Sequence, residues 1–239
     1  MPLAGKGSRF LALGYTTPKP LIKVKGKPMI QWAFDSVSKL SYDKIIFIIR
    51  EEQEKELAPK LKKMYSKAVF VYQKGFVDGA VLTVLFAKKL IDNNEELIIY
   101  NPDQYFAGPS TDDIAAFGDV SGLISTFHAT HPKWSFAEVG ADGYVTRVAE
   151  KEPISTHATV GLYYFKRGKD FVWAANQMIK KDIRVNNEFY VCPVYNQLIE
   201  RGDKIKILPA AFMWGLGTPE DVEHFEKYYS PENEHNKHL

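Results

Sequence analysis

The sequence predicts an α/β fold, a three-layer sandwich with a mixed, mainly parallel central sheet. Three buried β-branched runs in the first half alternate with helical segments, and this order favours parallel strands joined by right-handed crossovers. After residue 120, strand-like runs follow one another with few helices between them, which indicates a mixed or antiparallel extension of the sheet. The 239 residues contain no internal repeat and no linker rich in Pro, Gly or Ser, so we expect a single domain over residues 1–239.

The elements of the first half follow from the spacing and type of the apolar residues. Apolar side chains at helical spacing predict a helix over residues 29–40, with Pro28 in its first turn. The β-branched run at 44–49 is typical of a strand that is buried on both faces. The remaining elements are a charged helix, a strand, a helix capped by Asp78 and a third buried strand, at residues 51–64, 68–72, 78–91 and 96–100.

The second half begins with four strand-like runs, at residues 122–127, 134–139, 144–148 and 158–165. Ala141-Asp142-Gly143 predicts a hairpin turn between the second run and the third. Helical patterns return near residues 169–180, 190–201 and 218–229. The last residues, 230–239, are polar, and we expect a frayed tail there.

The charge balance argues against a general attraction to nucleic acid or to a membrane. Thirty-one basic residues face 29 acidic ones, for a formal net charge of +2. The longest apolar runs, such as 45–49, are too short to span a bilayer, and Lys6 and Arg9 interrupt any signal-peptide core. Cys192 is the single cysteine, so no intrachain disulfide forms, and its apolar neighbours favour a buried thiol over a nucleophile. We therefore expect a cytoplasmic protein.

The opening segment, residues 1–22, carries the strongest functional signal. It combines Gly5, Gly7, Arg9 and Lys19 in a stretch without helical or strand periodicity. Small residues let backbone N–H groups approach a phosphate chain closely, and the two cations add charge that the amides lack. We interpret this segment as a clamp for a polyphosphate rather than as a plain connecting loop.

The strand that should precede this loop is missing from the sequence. A phosphate loop in an open α/β sheet follows the carboxyl end of a strand, yet only Met1-Pro2-Leu3 stand before Ala4. Three residues cannot form a buried central strand. We therefore expect a chain that is truncated relative to its parent, or a misassigned start, rather than a tolerated gap in the middle of the sheet, and we expect poor solubility.

Two more charged residues stand at the ends of predicted strands. Asp103 follows the strand at 96–100, where a carboxylate faces the ligand crevice, and it is a candidate to hold Mg²⁺ against phosphate oxygens. A turn-capping aspartate is the alternative. Lys151 is a candidate to neutralise an acceptor phosphate, with a solvated charge cluster before Pro153 as the alternative.

Together these segments resemble the sugar-1-phosphate nucleotidylyltransferases, the family of nucleotidyltransferases that make nucleoside-diphosphate sugars. The correspondence runs in order over residues 2–225. The matching segments are Gly5-Lys6-Gly7-Ser8-Arg9-Phe10, Pro18-Lys19-Pro20-Leu21-Ile22, Gly26-Lys27-Pro28-Met29-Ile30, Asp103, Glu150-Lys151-Glu152-Pro153, Val160-Gly161-Leu162-Tyr163-Tyr164-Phe165 and Trp214-Gly215-Leu216-Gly217-Thr218-Pro219-Glu220. The resemblance implies a Rossmann-like fold with a nucleotide-binding half at 1–120 and an acceptor-binding half at 121–229.

The resemblance also implies roles for individual residues. Arg9 holds the triphosphate and Lys19 stabilises the reacting phosphates, so both are expected to be catalytic, and Asp103 is the expected Mg²⁺ ligand. The residues implied to bind the nucleotide are Leu3, Ala4, Gly5, Gly7, Ser8, Arg9, Gln73 and Gly79, with Gln73 at the nucleobase. The residues implied to bind the acceptor are Lys151, Gly161, Glu188 and Tyr190. Phe189, Tyr190 and Trp214 indicate a partly aromatic pocket.

The implied reaction transfers a nucleoside monophosphate from an NTP to a phosphorylated acceptor and releases pyrophosphate, for the synthesis of nucleotide sugars or surface-polysaccharide precursors. The acceptor is a sugar 1-phosphate or a smaller phosphorylated alcohol, acid or amine. The expected partners are these two small molecules, with no nucleic acid and no membrane. Assembly into a homo-oligomer is possible.

Two alternatives remain. A non-catalytic nucleotide-binding or regulatory relative is favoured by the missing strand and by Gly215, which stands where many relatives carry a second metal-binding aspartate. A glycosyltransferase that consumes nucleotide sugars also places an aspartate near a metal, but it does not need a loop that grips a triphosphate.

Overall fold

The computed structural model of the chain describes residues 1–233, in which nine α-helices and twelve strands are formed. Helices α1–α9 are Ser8–Ala12, Met29–Ser36, Glu54–Met64, Ala80–Leu85, Lys88–Ile91, Thr111–Ala115, Gly168–Lys180, Val194–Glu200 and Pro219–Tyr228. Strands β1–β12 are Lys23–Val24, Lys27–Pro28, Ile45–Arg50, Ala68–Gln73, Leu97–Tyr100, Gln104–Phe106, Gly122–His128, Ser135–Val139, Val145–Glu150, His157–Phe165, Ile205–Pro209 and Met213–Gly215. Most of the predicted tail, residues 234–239, lies outside the described residues.

The main sheet is mixed, as predicted. Its strand order is β11-β7-β10-β8-β9, and β5 pairs with β10 as well. Strand β11 runs parallel to β7, whereas β10 runs antiparallel to β5, β7 and β8. Strands β3 and β4 form a separate parallel pair, and β12 pairs antiparallel with β6. The third buried strand of the first half, β5, therefore pairs with the second half of the chain rather than with β3 or β4.

Strand β10 shows why the fold has three layers. Its residues alternate between two apolar clusters: Tyr163 and Phe165 belong to one, and Leu162 and Tyr164 belong to the other. Because successive side chains of a strand point to opposite faces, both faces of the sheet are covered. Helices α7 and α8 supply the first cluster, in which Phe165 stacks on Tyr195 with ring centroids 4.6 Å apart. The α/β sandwich is confirmed.

Two predicted helix starts are wrong. Pro28 precedes α2 as its N-cap rather than lying in its first turn, and the helix ends at Ser36 instead of continuing to residue 40. Asp78 does not cap the next helix, because Gly79 is the N-cap residue, with φ of +106°. The backbone of Asp78 is engaged elsewhere: its carbonyl accepts a hydrogen bond from the backbone N–H of Phe189 at 2.9 Å. Gly79 is therefore the residue that directly precedes α4.

A cavity adjoins the first residues of the chain. Residues 1–3 lie beside β3, where Pro2 forms a parallel bridge with Ile48, and the N–H of Leu3 donates to the Ile48 carbonyl at 2.8 Å. The cavity has a volume of about 680 Å³, and residues of both β3 and β5 line it together with Met1.

The amino group of Met1 is buried beside this cavity. It donates to the carbonyl of Ile46 at 2.8 Å. Burial lowers the pKa of this amino group from 8.0 to about 5, because a charged ammonium loses its hydration there. At neutral pH the group is therefore an uncharged amine in the folded chain and largely an ammonium in the unfolded chain.

We predict that the 1–239 polypeptide loses stability as the pH falls from 8 towards 5. In that window the unfolded chain binds a proton at Met1 and the folded chain does not, so the loss approaches about 4 kcal/mol for three pKa units. Joining four β-branched residues ahead of Met1, one for each residue of β5, should raise the free energy of unfolding and remove this component of its pH dependence. Urea titrations at pH 5, 6.5 and 8 measure both effects.

The matched control carries Gly-Ser-Gly-Ser ahead of Met1. It also moves the ammonium out of the cavity but buries no apolar surface. It should therefore remove the same pH-dependent component without a comparable gain in the free energy of unfolding. Equal urea midpoints for the β-branched extension, the Gly-Ser extension and the unextended chain at every pH would contradict the interpretation of the cavity as an open strand position.

Candidate functional site

A second cavity, of about 770 Å³, collects residues from the beginning, middle and end of the chain. All fourteen residues predicted to bind nucleotide, acceptor or metal line it: Leu3, Ala4, Gly5, Gly7, Ser8, Arg9, Lys19, Gln73, Gly79, Asp103, Lys151, Gly161, Glu188 and Tyr190. The structure thus brings the predicted residues together, and their individual roles stay predictions.

The glycine loop is held in place at Gly7. This residue is the N-cap of α1 and has φ of +63°, a left-handed conformation that favours glycine. Its carbonyl accepts hydrogen bonds from the N–H groups of Phe10 and Leu11 at 3.0 and 3.1 Å. A Cβ atom on Gly7 would lie 3.3 Å from the Cβ of Lys19. The loop therefore packs directly against the segment that carries the lysine.

Lys19 connects three segments of the chain. Its Nζ donates to Asp103 Oδ2 at 2.6 Å and to the carbonyl of Gly217 at 3.0 Å. The side chains of Lys19 and Asp103 are both only 22% exposed, so the ion pair is partly shielded from water. Within the described part of the chain the Asp103 carboxylate accepts no backbone N–H, so the turn-capping alternative is not realised.

The carboxylates of Asp103 and Asp221 both lie beside Gly217. A Cβ atom on Gly217 would lie 3.3 Å from Asp103 Oδ2 and 3.8 Å from Asp221 Oδ2. A Cβ atom on Gly215 would lie 3.3 Å from Asp221 Cγ, so the Asp221 carboxylate takes up the space that a side chain at 215 would need. Lys133 Nζ pairs with Asp221 Oδ1 at 3.1 Å.

These oxygen donors fit Mg²⁺, which usually takes one or two protein carboxylates and completes its shell with substrate phosphates and water. Across residues 1–233 no group of three or more His, Cys, Asp or Glu side chains is arranged to hold a metal. A metal here would therefore depend on phosphate oxygens for much of its coordination.

Lys151 is directed into the cavity by contacts at both of its ends. Its backbone N–H donates to the carbonyl of Trp134 at 2.9 Å and fixes a left-handed φ of +58°. Its Nζ donates to the hydroxyl of Tyr190 at 2.8 Å. Burial is the largest cause of the raised pKa of Tyr190, so the hydroxyl is neutral at pH 7 and the lysine keeps its net charge. The alternative of a solvated charge cluster does not describe this lysine.

The neighbouring carboxylate, Glu150, is mostly buried. The hydroxyl of Ser135 donates to its Oε2 atom. Burial raises the pKa of Glu150, and the bond from Ser135 and the charge of Lys151 oppose that rise. The end of β9 therefore presents the side chains of Glu150 and Lys151 side by side on the cavity wall.

Gln73 brings a hydrogen-bond acceptor without a donor to the cavity wall. Its side chain is 1% exposed, and its Nε2 donates to the carbonyl of Gly75 at 3.0 Å. Its Oε1 atom is buried and has no hydrogen-bond partner. Because a buried acceptor without a donor is costly, an atom in this state at a cavity wall is suited to a donor on a ligand.

Two glycines allow the close approach of segments around the cavity. A Cβ atom on Gly161 would lie 2.2 Å from Gln104 Oε1, and a Cβ atom on Gly79 would lie 2.4 Å from the carbonyl oxygen of Phe189. Both glycines have positive φ. The backbone at Gly79 thus packs directly on the segment that carries Glu188 and Tyr190.

Some features of the site were predicted wrongly or were missed. Phe189 and Trp214 do not line the cavity, because both are buried in the core, at 1% and 4% exposure. The aromatic residues of the cavity wall are Phe76, Trp134, Tyr163 and Tyr190. Lys133 and Asp221 were missed as well, and the one sequence signal for Asp221 is its position three residues after Thr218, which marks a capping box.

Cys192 is buried, as predicted. Burial raises the pKa of its thiol well above the ordinary value, which disfavours the thiolate that a nucleophile would require. Elsewhere in residues 1–233, no helix has both the length and the apolar character needed to cross a bilayer.

The match to a known protein family covers nearly the same residues as the resemblance described in the sequence. A family model described as nucleotidyl transferase matches residues 3–226. The bifunctional protein GlmU of Methanocaldococcus jannaschii is 29% identical over 231 residues, which cover 94% of this chain and 52% of that protein. The bifunctional sugar-1-phosphate nucleotidylyltransferase/acetyltransferase of Sulfurisphaera tokodaii is 30% identical over 226 residues, covering 94% of this chain and 53% of that protein. The chain spans about half the length of these two curated relatives.

A solved structure extends the similarity to the fold. The nucleoside-diphosphate-sugar pyrophosphorylase from Vibrio cholerae RC9 matches with a TM-score of 0.82 at 24% identity, over 95% of this chain and 100% of that chain. At this identity the match concerns the fold alone, and it agrees with the sandwich described above.

We predict that Gly79→Ala destabilises the protein by at least about 3 kcal/mol, because the left-handed φ is strained for alanine and the new Cβ would overlap the backbone of Phe189. Gly202→Ala is the matched control: φ there is +92°, but a Cβ meets nothing within 4 Å. It should cost only about 1–2 kcal/mol for the backbone strain. Urea denaturation compares the two variants, and equal losses would contradict the close contact at Gly79.

Proposed function

This chain belongs to the nucleotidyl transferase family, and from that premise we propose that it transfers a nucleoside monophosphate from a nucleoside triphosphate to a phosphorylated acceptor and releases pyrophosphate. The observation that carries the proposal is the single cavity shared by Arg9, Lys19, Asp103 and Lys151. These residues come from three distant parts of the sequence, and their charges suit two anionic substrates.

The main barrier to this reaction is electrostatic repulsion. Two unit charges 4 Å apart repel by about 4 kcal/mol at an effective dielectric constant of 20, and both substrates carry several charges. Arg9 and the amides of the glycine loop would hold the triphosphate, and Lys19 would move from Asp103 to the reacting phosphates. Lys151 would hold the phosphate of the acceptor. Cations fixed in place before the reaction stabilise the developing charge without reorganisation.

The acceptor needs no activation by a base. Its phosphate is already an anion, so an oxygen attacks the α-phosphorus directly, forming one P–O bond while the bond to the β-phosphate oxygen breaks and pyrophosphate leaves. The residues of the site would therefore act by binding and orienting the two substrates. No covalent intermediate on the protein is required.

We also propose that Mg²⁺ is required, with Asp103 and Asp221 as the carboxylates that would hold it. A bound Mg²⁺ neutralises phosphate charge and fixes the orientation of the triphosphate. The pairing of both carboxylates with lysines supports a site that binds the metal together with the nucleotide. Asp103 and Asp221 now pair with Lys19 and Lys133, and as metal ligands they would release these lysines.

The relatives support a sugar 1-phosphate as the acceptor and a nucleoside-diphosphate sugar as the product, for use in glycan synthesis. The buried Oε1 atom of Gln73 supports recognition of an N–H group on the nucleobase. A requirement for nucleoside triphosphates and the single cysteine both support a cytoplasmic location. Family membership argues against the glycosyltransferase alternative.

The assay that tests the proposal measures pyrophosphate release with a panel of nucleoside triphosphates and phosphorylated acceptors in the presence of Mg²⁺. We expect release that requires both substrates. Tight nucleotide binding without release by any pair would instead support the non-catalytic, regulatory relative. Absence of both binding and release would contradict the proposal.

Lys19→Ala should lower the turnover number by about a hundredfold or more while leaving the fold intact, because the lost charge acts on the reacting phosphates. Lys23→Ala, which removes an exposed lysine four residues away, is the control and should retain full turnover. Near-normal pyrophosphate release by the Lys19 variant would refute the assigned role.

Asp103→Asn should raise the Mg²⁺ concentration needed for half-maximal activity by about tenfold or more, since an amide binds a hard cation less well than a carboxylate does. Asp119→Asn, at an exposed aspartate outside this cavity, should leave the metal titration unchanged. If both variants require the same Mg²⁺ concentration as the unaltered protein, Asp103 does not hold the metal.

A further inference from the structure

Phe76 is a large apolar side chain exposed on the wall of the site cavity. About half of the residue, 52%, is accessible to solvent. It belongs to none of the apolar clusters formed by the described residues. Two cations lie against its ring instead: Lys6 Nζ is 4.2 Å from the ring centroid, and Arg50 Cζ is 4.7 Å from it.

Lys6, Arg50 and Phe76 come from three segments of the expected nucleotide-binding half. These are the glycine loop, the end of β3 and the loop of residues 74–79. Lys6 stands between the two glycines of the loop that is expected to hold the triphosphate. Arg50 ends β3 and pairs in register with Gln73, which ends β4. Phe76 lies three residues after Gln73, in a turn bounded by Gly75 and Gly79, both with positive φ. Its ring therefore connects the loop for the phosphates with the loop next to the nucleobase position.

Electrostatics explains why these cations lie on an exposed ring. A cation over an aromatic face is attracted by the negative potential of that face, and the contact does not neutralise its charge. In the described part of the chain, Lys6 has no carboxylate within ion-pair distance, so its charge is uncompensated. Arg50 has a carboxylate partner in Glu52, at 2.8 Å. The ring thus fixes the position of Lys6 and leaves the full charge of the ammonium available to an anion.

We propose that Phe76 is a positioning residue for the nucleoside triphosphate. By holding Lys6 and Arg50 it ties the glycine loop to the loop of residues 74–79, and it sets the spacing that the phosphate and base ends of the ligand must span. This role rests on the proposed function, because it presumes that a nucleoside triphosphate occupies this half of the cavity. In this role Phe76 affects the affinity for the nucleotide and leaves the affinity for the acceptor unchanged.

The test compares Phe76→Leu, which keeps apolar bulk but removes the aromatic face, with Phe76→Trp, which keeps that face. Isothermal titration with ATP, GTP, CTP, UTP and dTTP in the presence of Mg²⁺ first identifies the nucleotide that the unaltered protein binds best. The control is Phe86→Leu, at another exposed phenylalanine that does not line the cavity. Hydrogen exchange of residues 5–9 without nucleotide measures the attachment of the loop independently of binding.

We expect Phe76→Leu to weaken binding of the best nucleotide about fivefold to tenfold, as the loss of one or two exposed cation–π contacts implies. Exchange in residues 5–9 should rise with it, while Phe76→Trp and Phe86→Leu should resemble the unaltered protein. The KM for the acceptor should stay unchanged in all three variants.

Three results would overturn this role. The first is nucleotide binding by Phe76→Leu as tight as that of the unaltered protein. The second is equal weakening by leucine and tryptophan at 76, which would assign the effect to loop shape. A rise in acceptor KM equal to that in nucleotide KM would show a general disturbance of the site. If the unaltered protein binds none of the five nucleotides, the proposed function fails, whereas tight binding that is insensitive to Phe76→Leu overturns this inference alone.

Discussion

The hydrogen bonds of one ammonium group join the parts of the chain on which the site depends. Lys19 Nζ contacts Asp103 Oδ2 and the carbonyl of Gly217, so the opening loop, the turn after β5 and the segment before α9 meet at one point. A partly shielded lysine and carboxylate stabilise each other as long as both stay charged. In this arrangement the charges of Lys19 and Asp103 offset each other. The proposed chemistry would separate this pair, because Lys19 would bind phosphate and Asp103 would bind the metal.

Two chemically different groups line the cavity around that point. One is Gln73, whose Oε1 atom has no hydrogen-bond partner, and the other consists of Glu150, Lys151 and Tyr190. The segment at Gly79 packs against the segment that carries Tyr190, since the backbone of Phe189 leaves no room for a Cβ atom at Gly79. Lys19 lines the same cavity and would supply the cation that two anionic substrates need.

Much of this was predictable because local rules act on contiguous residues. The glycine loop, Asp103 after a buried strand and Lys151 at the end of β9 follow from composition, spacing and position, and the three segments line one cavity. Residues whose role depends on packing between distant segments escaped prediction. Trp214 and Phe189 were expected at the pocket because they are aromatic, yet both are buried in the hydrophobic core. The Asp221 carboxylate packs against Gly215, a contact between residues that no pattern in the sequence predicts.

The measurement that tests the central claim most directly is a ³¹P NMR spectrum of the protein with Mg²⁺, its best-bound nucleoside triphosphate and a sugar 1-phosphate. If the cavity brings the two anions together for transfer, the resonances of the triphosphate and of the acceptor phosphate decline together. Free pyrophosphate and the coupled pair of a nucleoside-diphosphate sugar should replace them. A spectrum in which the triphosphate yields only a nucleoside diphosphate and orthophosphate, with the sugar phosphate unchanged, would contradict the account.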